Sequence, residues 1–360
     1  MKQTMYDYIK AEQCTNRRIL ENRKESLRAF AETLKKRSGL SKLMFFATGS
    51  SVNAVNCVKY YLEELTGLEV VIKIPFLFAG YEKVSDSDAL AIAVSQGGSS
   101  YSTIEAVQKA KALGFKDTFA VTAKADSPIT RHADHFVDIG CGEEKVGFVT
   151  MGFSATVLTL MLMAVEGAYA LGRIDGEGYD REIEKIAEAI EKINDVIERT
   201  NLWYSRNREE LAGAGRLITI AYGPNYGAAL EGYTKLTETV RCPVNGFELE
   251  EYLHGPNLEL NSSHYIFFVR SKGMVEERLV TLRDFMGTIT EHCFVISHEE
   301  DSGDPRVLPL GFDGDENISP LLFVIPFQVL AYRLSGDKGI SLESDLFKDF
   351  SKALNIKVAQ

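Results

Sequence analysis

Two clusters of residues in this sequence have side chains suited to holding a small anion and moving protons on it. In Leu90 to Thr103, LAIAVSQGGSSYST, the apolar run Ala91 to Val94 leads directly into Ser95, Gln96, Gly97, Gly98, Ser99, Ser100, Ser102 and Thr103. A strand that enters such a loop and leaves it as a helix offers an anion hydroxyls, uncovered backbone and helix amides. The loop contains no Lys or Arg. It therefore lacks the P-loop signature and suits a small phosphomonoester, such as a sugar phosphate, better than a nucleotide. A serine-capped strand-to-helix turn accounts for the same residues.

The second cluster is Ala228 to Glu238, AALEGYTKLTE. Glu231, Lys235 and Glu238 fall at i, i+4 and i+7, on one helix face, where a carboxylate beside a lysine suits general-base work. The same spacing also describes a surface ion-pair ladder. Downstream, Phe247 to Leu253 reads as one or two helical turns stopped by His254-Gly255-Pro256. A histidine at a helix C-terminus titrates in the range useful for proton transfer to a sugar hydroxyl, and it serves equally as a simple cap.

The elements that must carry these groups read as a duplication. Lys42 to Ser51 and Arg216 to Asn225 are each a strand running into a glycine turn and a helix. Leu90 to Ser95 corresponds to Tyr265 to Arg270, and Thr118 to Thr122 to Cys293 to Ser297. Met151 to Leu171 and Ser319 to Leu334 are the closing apolar helices. Alternating strands and helices predict parallel sheets covered by helices, an α/β fold in two copies. Tyr6 to Arg37 reads as one long charged helix and Asp180 to Glu210 as a helical hairpin linking the copies. Where the first copy has Ser95-Gln96-Gly97-Gly98, the second has Arg270-Ser271-Lys272-Gly273, so the hydroxyl-rich loop occurs once. Ligands in such sheets sit beyond the carboxyl ends of the strands, next to Thr48 to Ser51 and Ser95 to Thr103.

Bulk properties narrow the class. A formal charge of −11 over 360 residues argues against a nucleic-acid partner. The start MKQTMYDYIKAEQ lacks a signal-peptide core, and no apolar stretch reads as a membrane span, so a cytoplasmic enzyme is expected. Cys14, Cys57, Cys141, Cys242 and Cys293 have no metal-ligand or disulfide spacing and read as reduced packing residues. Arg131 to His135 reads as a solvated loop before a strand at Phe136 to Ile139, not as a metal site. Three GxG triplets, at Gly140, Gly176 and Gly213, each lack the third fingerprint glycine, which discounts a dinucleotide cofactor.

The motifs TGSS, SQGGSSYST, ALEGYTKLTE and HGP, in this order, resemble those of the tandem sugar isomerase (SIS) domain family, including the isomerase half of glutamine:fructose-6-phosphate amidotransferase. The resemblance implies two SIS domains, each a doubly wound parallel sheet. It places an N-terminal helix at 1–40, a phosphate-binding SIS domain at 41–175 and a helical linker at 176–212. A second SIS domain follows at 213–335, then a tail at 336–360 that contributes to the active site. It implies that Ser51, Ser95, Gln96, Gly97 and Ser100 hold a phosphate, with Gly49 and Ser50 supporting the turn and Thr103 nearby. It assigns Glu238 the C1/C2 proton transfer, with Lys235 and Glu231 as companions, and His254 the sugar ring opening in a neighbouring subunit, which requires a homodimer. Glu144 and Thr150 match the family in the segment before the closing helix, and Lys352 is the candidate for its tail lysine.

Departures from the family shape the expectation. Gly97 stands where a serine is usual, so only its amide serves there, and Met151 replaces a lysine. A short helical region precedes the first strand in place of a glutaminase domain, which implies that glutamine is not the nitrogen source. The resemblance thus implies a deglycase, without metal or cofactor, acting on an amine adduct of a 6-phosphosugar of the fructosamine or glucoselysine type. An aldose-ketose isomerase, an aminosugar-phosphate isomerase or deaminase, and a non-catalytic sugar-phosphate sensor are the alternatives.

Overall fold

The structure is a computed structural model that describes residues 3–37, 39–83, 87–343, 346–347 and 349–358, with the side chains of Ser351 and Lys352 left aside. The chain opens with helices α1 (Met5–Ser26) and α2 (Arg28–Lys36). It continues through β1 (Lys42–Phe46), α3 (Ser50–Thr66), β2 (Glu69–Lys73), α4 (Pro75–Gly80), β3 (Leu90–Val94), α5 (Tyr101–Ala112), β4 (Phe119–Thr122), β5 (His135–Asp138) and α6 (Met151–Ala170). Helix α7 (Gly176–Ala212) leads into β6 (Leu217–Ala221), α8 (Asn225–Val240), β7 (Val244–Glu248), α9 (Leu249–Leu253), β8 (Tyr265–Arg270), α10 (Glu276–Met286), β9 (Cys293–Ser297) and β10 (Val307–Pro309). The closing helices are α11 (Pro320–Phe323), α12 (Ile325–Asp337) and α13 (Phe350–Ala353).

Both sheets are parallel and five-stranded, in the orders β2-β1-β3-β4-β5 and β7-β6-β8-β9-β10. The duplication extends to register. Leu43 pairs with Leu90 and Leu217 with Tyr265, so Gly49 and Gly223 stand at the same step past their strands, as do Gly98 and Gly273. Every residue of β3 and of β6 is buried, as expected of central parallel strands covered on both faces.

The chain divides into two compact units. The first contains Cys14–Lys145, Met151–Ala187 and Ser344–Gln360; the second contains Met1–Gln13, Val146–Thr150 and Glu188–Glu343. In the first, α6 is packed against α3 and is buried along its whole apolar window. It is the one described helix long and apolar enough to cross a membrane. Two polar bonds join α1 to α6: Thr15 Oγ1 donates to Met151 Sδ at 3.2 Å and Asn16 Nδ2 to Ser154 Oγ at 2.8 Å. In the second unit α8 lies flush on α12, and a Cβ built on Gly232 would come within 2.6 Å of the Phe327 ring.

Four expectations about the helices are corrected. Asp180 to Glu210 is part of a single helix, α7, and not a hairpin, because no glycine or proline interrupts that stretch. Tyr6 to Arg37 is two helices that break at Leu27, whose side chain is buried while its backbone leaves the helical region. The closing helix of the second copy is also split, at Val324 between Pro320 and Pro326, since each proline removes a helix donor. Phe247 and Glu248 complete β7, and only Leu249 to Leu253 is helical. The Glu248 carboxylate caps that turn by accepting from the amides of Glu250 and Glu251.

Gly232→Ala tests the α8–α12 contact, because helix propensity and packing predict opposite signs. Propensity alone would stabilise the helix by about 1 kcal/mol. The clash with Phe327 is expected to win and to destabilise by about 1–3 kcal/mol in urea denaturation, with partial recovery when Phe327→Leu is added.

Candidate active site

The loop after β3 is held from behind by its own carbonyls. Ser95 N donates to Val121 O (3.0 Å) and Gly98 N to Ser95 O (2.9 Å). Gln96 O accepts from both Ala123 N and Thr122 Oγ1 (3.0 Å each), and Gly98 O accepts from Ile129 N (3.0 Å). Among the described residues, the amides of Gln96, Gly97, Ser99 and Ser100 have no acceptor. A row of unpaired N–H groups beside serine hydroxyls at a helix start is a nest for an anion. Gly98 has φ +64°, and a Cβ there would fall 2.0 Å from Ser127 Oγ, whereas Gly97 faces open space. Ser100 precedes α5, and its Oγ accepts from Thr103 Oγ1 at 2.9 Å. At the neighbouring strand end, Gly49 (φ +58°) turns β1 into α3, which brings Ser50 and Ser51 into its first turn.

Two residues flank this loop within the first unit. Glu144 Oε2 accepts from Gly152 N at 2.9 Å, at the start of α6. The Gln96 amide lies against Gly152, where a Cβ would meet Nε2 at 1.8 Å. Beside them the Cys141 thiol is pushed up to about 12 by burial and by the Glu144 charge, so it is an unreactive packing group. All five cysteines are free.

The equivalent crevice of the second copy is filled from within. Arg270 takes the step of Ser95, and its guanidinium is engaged by Glu276 (2.7 Å) and Glu299 (2.9 Å). The Glu316 carboxylate accepts from Ser271 Oγ at 2.9 Å and crowds Gly273, where a Cβ would lie 2.1 Å from Oε1. Burial, opposed in part by the Ser271 hydrogen bond, pushes the Glu316 carboxyl up.

The acid/base cluster on α8 is an interior feature rather than a surface ladder. Glu231 is 0% exposed and Lys235 2%. Lys235 Nζ lies 2.7 Å from Glu238 Oε2 and 3.6 Å from Glu231 Oε1. Glu238 keeps 42% side-chain exposure, so its carboxylate is accessible from solvent while an ammonium holds it in place. Thr150, in the same unit, is fully buried, and its carbonyl accepts from Gln328 Nε2 at 3.3 Å.

The remaining candidates lie apart from these contacts. His254 caps α9, as expected, through its amide to Glu251 O (3.2 Å), but its ring is 72% exposed, with Glu250 at 3.7 Å. Arg278 engages the same Glu250 carboxylate at 2.7 Å. Lys352 lies on α13, and its side chain is outside the described residues. In Arg131 to His135, Asp134 accepts from Thr118 and Lys111, and His135 begins β5 and stacks on Phe119, a structural arrangement. No group of metal-ligating side chains occurs among the described residues. Sequence reasoning missed the segment after α13: Tyr101 N donates to Ile356 O and Val358 N to Ser99 O, at the edge of the anion loop. Its only signal was the alternation Ile356-Lys357-Val358.

Comparison with known proteins fits this geometry. A SIS domain model matches residues 39–166, from just before β1 into α6. Residues 39–166 thus carry a SIS domain. It is 25% identical over 328 residues to a glutamine–fructose-6-phosphate aminotransferase of Gloeobacter violaceus, a match covering 88% of this chain and 52% of that one. The chain spans about half the length of the curated relatives it matches. Among solved structures, a Clostridium difficile 630 protein provisionally named a phosphosugar isomerase superposes with a TM-score of 0.89 at 29% identity, covering all of both chains. The C-terminal domain of the Francisella tularensis glucosamine-fructose-6-phosphate aminotransferase shares the fold, with a TM-score of 0.83 at 19% identity over 95% of this chain and 98% of that one. The second sheet, outside the matched residues, repeats the strand order and register of the first.

The two adjacent glycines of the SIS loop make opposite demands. Gly98→Ala, strained at positive φ and driven into Ser127, is expected to destabilise the protein by about 1–3 kcal/mol in chemical denaturation. Gly97→Ala should cost less than about 1 kcal/mol. Equal costs would contradict the loop geometry.

Proposed function

We propose that this protein is a cytoplasmic deglycase that releases an amine from an adduct of a 6-phosphosugar, of the fructosamine or glucoselysine 6-phosphate type, and that it works as a homodimer. The observation that carries the phosphosugar reading is the row of unpaired amides at Gln96, Gly97, Ser99 and Ser100 beside the serine hydroxyls. Ser51, Ser95 and Ser100 then serve as hydroxyl donors to the phosphate, which leaves the sugar end free for chemistry.

In the proposed reaction His254 moves a proton during ring opening; its exposed position is consistent with service to a second copy of the chain. In a fructosamine-type adduct, Glu238 takes the proton from C1 of the open chain. The C1–H electron pair forms the C1=C2 bond of an enaminol while the C2 oxygen gains a proton. Return of a proton to C2 produces an imine at C1; water adds there, and the amine leaves with a proton, giving the hexose phosphate. Lys235, held between Glu231 and Glu238, fixes the carboxylate and offers positive charge to the oxyanion that develops at C2. General acid/base catalysis of this kind supplies on the order of 10²–10⁴-fold per group.

Glu238→Gln is therefore expected to lower kcat on fructosamine 6-phosphate by about 10²–10⁴-fold while the affinity for inorganic phosphate stays within about two-fold. The assay follows release of free amine. Ammonia from glucosamine 6-phosphate, with no amine from the adduct, would assign the protein to the deaminases instead, and wild-type turnover by the glutamine variant would remove Glu238 from the chemistry.

A further inference from the structure

The anion loop of the first unit contains no cation of its own, yet the chain returns to it after α13. Val358 N donates to Ser99 O at 2.9 Å and Tyr101 N to Ile356 O at 3.1 Å, which pairs Ser100 with Lys357 in an isolated antiparallel bridge. The two bonds flank the pair rather than join its members, so Ser100 and Lys357 form a non-hydrogen-bonded pair. In such pairs the Cα atoms are about 4.5 Å apart and the two side chains leave the same face together. Ser100 Oγ accepts from Thr103 Oγ1, so its own proton remains to be donated to a ligand. Lys357 is exposed and has no carboxylate partner among the described residues. Its flexible four-carbon stem spans the distance to anything bound at Ser100.

The geometry points to Lys357 as the cation of this anion site: a binding residue for the phosphomonoester dianion, supplied by the C-terminal segment to a loop that otherwise offers only neutral donors. The assignment rests on the reading that the loop takes a phosphate. The main-chain bonds hold the segment in register, so the residue at 357 can be changed without removing the bridge. The amides and hydroxyls select the tetrahedral oxygens, and the ammonium adds a charge-assisted bond.

The test is titration of the full-length chain with inorganic phosphate by calorimetry at two salt concentrations. Lys357→Gln should weaken binding about ten-fold and flatten its salt dependence, and Lys357→Arg should restore binding to within about two-fold. Lys36→Gln, the same charge change at an exposed position of α2, should leave binding unchanged, and the unliganded melting temperature should be the same in all four proteins. If Lys357→Gln binds phosphate as tightly as the wild type while Ser100→Ala loses it, the loop reading stands and the role of Lys357 is overturned. If the wild type itself binds no inorganic phosphate, the loop reading falls, and the role of Lys357 falls with it.

Discussion

An ammonium group with 2% exposure is tolerated only beside opposite charge, and the design of the second unit follows from that requirement at Lys235. Glu231 supplies a carboxylate one turn earlier, itself fully buried, and Glu238 supplies the nearer one at 2.7 Å. On its α12 side the helix carries Gly232 where any side chain would strike Phe327, which lets α8 lie flat on α12. Thr219 Oγ1, inside β6, adds a bond to Ala229 O and ties the start of the helix to the sheet. Glu238 is left at the edge of the buried face, in contact with both the ammonium and solvent. A proton-transferring carboxylate needs this arrangement: fixed in place, yet open to a substrate.

The two halves of the duplication solved opposite problems with one scaffold. In both, a glycine at positive φ turns the first strand into its helix, and the crevice lies at the strand ends. In the first, the loop carbonyls are satisfied from behind and the amides face outward. In the second, Arg270 is consumed by two carboxylates and Glu316 fills the crevice. A carboxyl pushed up by burial, among like charges from Asp315 and Glu276, does not suit a crevice meant for phosphate. The specialised loop and the specialised helix therefore belong to different copies, as expected when a duplicated fold diverges by changing loops and one helix face while the sheet is conserved.

Much of this was legible in the sequence because it rests on local patterns. The apolar run at Leu90 to Val94 and the run at Leu217 to Ala221, interrupted only by Thr219, read as buried strands of a parallel sheet, and the i, i+4, i+7 spacing put Glu231, Lys235 and Glu238 on one face. The burial of Glu231 and Lys235 was not legible, since it depends on elements distant in the chain packing around α8. The break at Leu27 and the unbroken course of α7 were misread for a related reason. Helix continuity there is decided by which side chains find a partner, and charge periodicity does not report that. The bridge between Ser100 and Lys357 joins residues far apart in sequence through main-chain bonds, and such bonds leave little trace in residue type.

Proton transfer from C1 of a phosphosugar adduct is the central step of the proposed reaction. Its most direct test is the fate of label in fructosamine 6-phosphate carrying two deuterons at C1, with the product read by mass spectrometry and NMR. The account predicts an aldose phosphate with one deuteron at C1, the other having been removed in forming the enaminol. A product that keeps both deuterons at C1 would mean that the carbon–nitrogen bond breaks without C1 proton transfer, and would contradict it.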